Sequence, residues 1–597
     1  MPGEITGAEE VAWDLTDLFE GPEDPRLGHQ VDETLSAAGA FRSRYHGRVA
    51  ELEAGELAAA VRELEDLQSG LVRLETFAFL HFSTDTSDPA RGALLQRMQE
   101  LGAAFSTEVL FFGLEWVGIE EQAATRILAD PALGRYRHYL ESARRYRPHL
   151  LSEPEEKLLA EKSLSASAAW ARLFTELTSA LRIEVGDEEL SLEEALSRLQ
   201  RAEPEVRSSA AEGLSRAFER ELRTRSFIFN TLLLDKATDD RLRAYPSWLA
   251  ARNLSNEASD ESVAALIDAV VARYDIPRRY YRLKAKLLGV DRLFDYDRMA
   301  PIGDVSASVP WEQARRIVED AYSSFSPVTG EIVSDFFDGR WIDGAPRSHK
   351  QAGAFCATTV PGIHPYVLLS YTGERRSVLT LAHELGHGVH GVLAAEQGLL
   401  NAETPLTLAE TASVFGEALT FRRLMSEETD AGGRLELLAG RLEDAIATVF
   451  RQVAMNRFED AIHNARRSGG ELSPEAFGNR WIEAQATMLG EAVHLTEGYR
   501  SWWSYIHHFV GAPGYVYAYA FGYLFSLAIY RRYEEEGSSI VDPYLDLLRA
   551  GGSDRPEVLA KIVGLDLADP GFWAGGLEAI DRLVTEAEDL AGQIDRG

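Results

Sequence analysis

Apolar residues recur at three- and four-residue intervals over long stretches of the chain, most clearly Leu52 to Leu80, Glu155 to Leu181 and Ser208 to Leu234. That spacing puts one apolar stripe on a 3.6-residue helix and predicts a mainly α protein. The pattern breaks at Arg182-Ile183-Glu184-Val185-Gly186-Asp187-Glu188-Glu189-Leu190, which reads as a short hairpin before Ser191 starts the next helix. A boundary is placed there, giving domains 1–190 and 191–597. Tyr366 to Tyr371 is β-branched and aromatic, flanked by Pro365 and Thr372-Gly373, and is expected to be a strand. As an edge strand it would pair with an extended peptide whatever its side chains.

A second helical pattern carries chemistry. Val378, Leu381, Leu385, Val389 and Val392 fall on one side of a helix that also holds His383-Glu384-Leu385-Gly386-His387. Residues i and i+4 share a helix face about 6 Å apart along the axis, so both imidazoles can reach one small cation. Glu384 projects from the neighbouring face, where it can take a proton from water at the metal. Among 14 histidines a chance HExxH has a probability on the order of a few in a hundred, so context decides. The bland alternative is a core helix whose histidines only bond to neighbours.

A catalytic zinc needs a third protein ligand and one position open to water. The extended HExxHxxGxxH pattern is absent, since His390 and Leu393 stand at its last two positions. Glu410 is the favoured third ligand. It lies 23 residues after His387, in Thr404-Pro405-Leu406-Thr407-Leu408-Ala409-Glu410, read as a return helix with Thr404 as N-cap and Pro405 at its first position. Glu403, in the expected loop, and Glu417, two turns further on, are the alternatives. Gly386, Gly388 and Gly391 each cost a helix about 1 kcal/mol, which close approach of another backbone would explain.

These residues, with others spread over most of the chain, resemble the oligoendopeptidase F and thimet oligopeptidase family of zinc metallopeptidases. The resemblance rests on Trp13-Asp14-Leu15-Thr16-Asp17-Leu18-Phe19, on Gly353-Ala354-Phe355 through His364-Pro365-Tyr366 to Tyr371, and on Ala409-Glu410-Thr411-Ala412-Ser413-Val414-Phe415. It implies one Zn²⁺ per chain at His383, His387 and Glu410, with Glu384 as general base. It also implies two mainly helical lobes around a deep central channel that admits short peptides. A small sheet would lie beside the zinc helix, and the N-terminal helices would act as a lid. Far downstream, His507-His508-Phe509 and Pro513-Gly514-Tyr515-Val516-Tyr517-Ala518-Tyr519 to Tyr523 are dense in phenol and imidazole donors. Such donors suit the negative charge that develops on a carbonyl oxygen during amide hydrolysis. By resemblance His508, Tyr515 and Tyr519 act in catalysis, and Tyr517 and Tyr523 contact substrate. Gly514 stands where the family tends to carry an aromatic.

Composition narrows the partners. With 95 acidic and 61 basic residues, a net charge of −34 and no basic stripe, a nucleic-acid partner is not expected. The run Tyr515 to Tyr530 is uncharged but too short to cross a bilayer, and Met1 to Glu10 lacks the basic start and apolar core of a signal peptide. Cys356 is the only cysteine, so no intrachain disulfide forms. A cytoplasmic zinc oligoendopeptidase without membrane partner follows, its oligomeric state open. A helical zinc carboxypeptidase and a catalytically dead peptide-binding relative are the rivals.

Overall fold

The computed structural model describes residues 6–163, 165–303, 308–567, 569 and 571–594. Residues 1–5, part of the stretch that lacks a signal-peptide pattern, lie outside it. The described chain is mainly α-helical, with short strands in three small sheets. Among the described residues no single helix is long and apolar enough to cross a membrane.

The chain folds into two compact units, each built from separated segments: 1–147, 306–427 and 529–566 form one, and 148–305, 428–528 and 567–597 the other. The hairpin at 183–190 forms as expected, Ile183–Val185 pairing antiparallel with Glu188–Leu190 around Gly186 at φ +61°. Ser191 then caps the next helix through the Glu194 N–H and carboxylate. This hairpin lies inside the second unit.

The first unit begins with three long helices, α1 (Pro25–Tyr45), α2 (Ala54–Ser83) and α3 (Pro89–Gly118), packed on one another. Leu57, Val61, Leu64, Leu71, Leu74 and Phe77 of α2 are buried, which is the apolar stripe read from the spacing. Ahead of them Trp13 stands edge-on to Tyr366 at 6.0 Å and Phe19 edge-on to Phe77 at 5.3 Å, so the opening motif is core packing for this unit. Next come α4 (Trp311–Phe325) and α5 (Pro327–Asp338), separated by Ser326, whose hydroxyl accepts from the Val328 N–H.

Three short strands follow, β1 (Ile342–Asp343), β2 (Phe355–Ala357) and β3 (Tyr366–Leu368), in the order β1-β3-β2. Here the structure corrects the sequence reading. The strand at Tyr366 is central and fully buried, parallel to β1 on one side and antiparallel to β2 on the other. The N-terminal segment covers the far side of β1, where the Asp14 N–H donates to the Arg340 carbonyl and the Gly344 N–H to Val11. The open edge is β2. Val367 N–H donates to Trp341 and Leu369 N–H to Asp343, so Tyr366 and Leu368 turn their backbone groups toward β2. Their partners Ala357 and Phe355 face inward, and Cys356 between them aims its N–H and carbonyl away from the sheet. Among the described residues no backbone hydrogen bond reaches that outer side.

The motif helix α6 (Arg375–Ala394) packs on this sheet, on α5 and above all on α7 (Ser413–Glu427). Gly386 sets that contact. An added Cβ would lie 2.5 Å from the Ser413 Cα and closer still to the Ala412 carbonyl oxygen, so backbone meets backbone, as the three glycines suggested. Gly388 likewise abuts the Phe336 ring and Gly391 the Pro365 ring. Gly386→Ala is therefore expected to cost about 3 kcal/mol, because a backbone neighbour cannot swing aside as a side chain can. A lowered midpoint of thermal unfolding checks it, and an unchanged one would show that the two helices can part freely.

The second unit is centred on Phe229, Phe458, Trp481, Trp503 and Phe509, a buried aromatic cluster. The expected helix over Glu155 to Leu181 is two helices, Glu153–Ser163 and Ser167–Ser179, and that over Ser208 to Leu234 falls across Pro204–Arg220 and Leu222–Leu242.

Candidate metal centre and its surroundings

His383 and His387 stand one turn apart on α6, ring centroids 5.0 Å from each other. Glu410 reaches both. Its Oε2 is 3.4 Å from His383 Nε2 and 3.6 Å from His387 Nε2, and the ligand atoms of the three residues lie within 4.8 Å of one another. Tetrahedral sites with bonds of about 2.0–2.1 Å have edges of about 3.3 Å, so the spacing fits a small divalent ion on two imidazoles and one carboxylate. Glu410 is not within a return helix, as expected from sequence, but in the turn after a single helical turn, Leu406–Ala409, with Pro405 rather than Thr404 at its N-cap. The turn lets the carboxylate point back, and the Ser413 hydroxyl holds its Oε2 at 2.6 Å.

The alternatives sort out geometrically. Glu403 is exposed and lies outside the group. Glu417 bonds the opposite nitrogen, its carboxylate accepting from His383 Nδ1 at 3.3 Å, which fixes the tautomer with Nε2 free for a metal. Sequence reasoning weighed Glu417 only as a ligand. The signal for its actual place was its spacing of four from Ser413, which puts both partners of the site on one face of α7.

Burial sets the protonation of the cluster. It pushes the His387 imidazole down to about 4, leaving a neutral ring with a lone pair to offer. It pushes the Glu384 carboxyl up to about 7, with His383 lowering and Glu410 raising it to lesser extents. Glu384 is 6% exposed and outside the ligand group. Cys356 on β2 is its neighbour, the thiol being pushed up by burial and then by the Glu384 carboxylate. The open edge of β2 thus runs beside the buried carboxyl.

A profile of peptidase family M3 matches residues 198–578, and one of oligopeptidase F matches residues 115–183. The chain belongs to peptidase family M3. Over its whole length it is 27% identical to the oligopeptidase PepF of Bacillus subtilis, covering 89% of that protein. Two solved structures share the fold of this M3 peptidase. A chain from Chlamydophila abortus superposes with TM-score 0.85 at 23% identity, covering 98% of this chain and 99% of that one. Oligoendopeptidase-F from Enterococcus faecium gives 0.71 at 22%, covering 96% and 98%.

In the second unit of the M3 chain, His508, Tyr515 and Tyr519 form one half-buried cluster. His508 Nε2 is 3.2 Å from the Tyr519 hydroxyl, and the Tyr515 ring is 5.9 Å from His508 and 5.0 Å from Tyr519. Tyr517 and Tyr523, expected to contact substrate, are buried instead. The Tyr517 hydroxyl accepts from Asn256 at 2.9 Å, and the Arg441 guanidinium stands 5.3 Å from the Tyr523 ring. Helical geometry separates two of them: Tyr517 and Tyr519 open the helix Tyr517–Glu536 and point about 200° apart, while Tyr515 lies just ahead of that helix.

Gly514 has a structural cause too. At φ +74° and with an added Cβ 2.7 Å from Leu249 Cδ1, no aromatic fits there. Its N–H donates to Glu459 Oε1 at 2.9 Å, and burial pushes that carboxyl up to about 8 from an ordinary value near 4.5. Between those values the folded chain keeps a proton that the unfolded chain has released, so this group makes stability fall as pH rises from about 4.5 to 8 and adds no slope above. Glu459→Gln should therefore gain stability relative to the parent as pH rises from about 5 to 8, by a few kcal/mol at most, read as a growing difference in melting temperature. Parallel melting curves across that range would contradict the assignment.

Proposed function

We propose that the chain is a zinc-dependent oligoendopeptidase that cleaves internal bonds of short peptides. The observation that carries this reading is the convergence of His383, His387 and Glu410 within 4.8 Å, beside the buried carboxyl of Glu384. Two imidazoles and a carboxylate with a free position are a donor set that zinc favours, and the ion when bound supplies Lewis acidity toward the scissile carbonyl and its attacking water. Glu384 takes the water's proton at its carboxylate and hands it to the departing amine, a task suited to a carboxyl whose burial places it near neutral pH. The backbone of Cys356 pairs with the extended peptide along the β2 edge and so reads no side chain. His508, Tyr515 and Tyr519 supply hydrogen-bond donors for the substrate and the charge that develops on its carbonyl oxygen. A single cysteine suits a reducing compartment, and the cytoplasm is the proposed location.

The test is digestion of peptides blocked at both ends, read by mass spectrometry, with and without chelator. Internal cleavage that stops on chelation and returns with zinc is expected. Activity confined to free C-termini would favour the carboxypeptidase rival, and chelator-resistant cleavage would remove the metal from the reaction.

A further inference from the structure

Apart from the metal centre, the first unit holds a cavity of about 320 Å³. Ile332, Trp341, Ile363, Val392 and Leu399 give it apolar walls, and the exposed Asp335 and Glu403 line it as well. Among the described residues no hydrogen bond or ion pair engages either carboxylate side chain. Apolar walls with two unengaged carboxylates suit a long aliphatic stem that ends in a cation. A guanidinium meets carboxylates in a planar fork, so arginine fits best among such side chains.

The place of the cavity in the fold gives it a use. It is lined by the chain that continues β2, Thr358 to Pro365, by the last turn of α6 at Gly391 and Val392, and by Ala395 just after it. From Glu384 to Gly391 is about 10 Å along the helix, and from Cys356 to Thr359 about 10 Å along the extended chain. Both elements therefore lead from the buried carboxyl to the cavity over the same span. A peptide antiparallel to β2, its reacting carbonyl beside Glu384, carries its N-terminal residues past the end of β2 toward the cavity. About three residues cover the distance.

We propose that this cavity is a specificity pocket for a basic side chain, arginine above all, about three residues N-terminal to the cleaved bond. This rests on the proposed peptidase reading and adds to it a substrate class. The test uses end-blocked peptides in which a single arginine, leucine or glutamate occupies each position in turn. For the native enzyme kcat/KM should be about fivefold higher with arginine than with leucine at the upstream position, as expected of partly solvated ion pairs. The double variant Asp335→Asn/Glu403→Gln should lose that ratio, and Glu403→Lys should reverse the order of the arginine and glutamate peptides. An unaltered ratio in both variants, or a basic preference on the C-terminal side of the cleaved bond, would overturn the pocket. If the native enzyme cleaves none of the set, the peptidase reading fails instead. The pocket is then judged by fluorescence anisotropy of labelled arginine and leucine peptides on the Glu384→Gln protein, where a preference for arginine that Asp335→Asn/Glu403→Gln abolishes sustains it and equal binding overturns it.

Discussion

Glu384→Gln is expected to lower kcat by about three orders of magnitude while the protein still binds one zinc ion per chain. Glutamine has the same shape as the buried carboxyl, and Glu384 stands outside the three residues whose ligand atoms converge, so the metal site should persist. What disappears is the ability to accept a proton. The amide cannot take one from water at neutral pH, and Cys356 beside it is no substitute base, because burial pushes its thiol up and keeps it protonated. The measurement is paired, metal content by elemental analysis and turnover on an end-blocked peptide. Near-native turnover at full metal occupancy would show that the proton goes elsewhere. Loss of both together would show that Glu384 holds the site rather than serving the reaction.

The parts of this site that sequence made legible are those encoded by helical spacing. His383 and His387 share a face because they are four apart, and the apolar residues around them say which side of α6 is buried. Gly386 was legible as a place of close backbone approach, though only the structure shows that the backbone is Ala412–Ser413, next to the third ligand. Strand placement was not legible. β1, β2 and β3 are two or three residues each, too short for a period of two to register, and whether Tyr366–Leu368 is central or at the edge depends on segments 342–343 and 355–357 that no local pattern ties to it. Unit boundaries were hidden for a related reason. Each unit gathers segments distant in sequence, and one division, between 528 and 529, falls within the helix Tyr517–Glu536, where no linker composition marks it. Among the tyrosines, the split between Tyr517 and Tyr519 follows from helix periodicity once the helix Tyr517–Glu536 is known, whereas Tyr515 precedes that helix and its place beside Tyr519 had no periodic signal.

Glu410→Ala is expected to abolish both metal binding and turnover, and it separates the three acidic residues that sequence alone left open. Removing the carboxylate leaves two imidazoles, too few protein ligands for a catalytic zinc site that keeps one position for water. The backbone turn should survive, because the Val414 N–H donates to the Glu410 carbonyl whatever the side chain is. Glu417→Ala acts one step further out. It frees His383 Nδ1 from its partner, so both tautomers and several ring orientations become available, and zinc affinity should fall about 10- to 100-fold, with turnover recovering at saturating zinc. Glu403→Ala should leave zinc affinity unchanged, since that residue lies outside the converging group. Competition of each purified variant with a chromophoric chelator measures all three on one scale. Retention of tight, stoichiometric zinc by Glu410→Ala would mean that another carboxylate completes the site, and saturation-resistant loss in Glu417→Ala would name that residue, because a positioning partner can be compensated by excess metal and a missing ligand of this kind cannot.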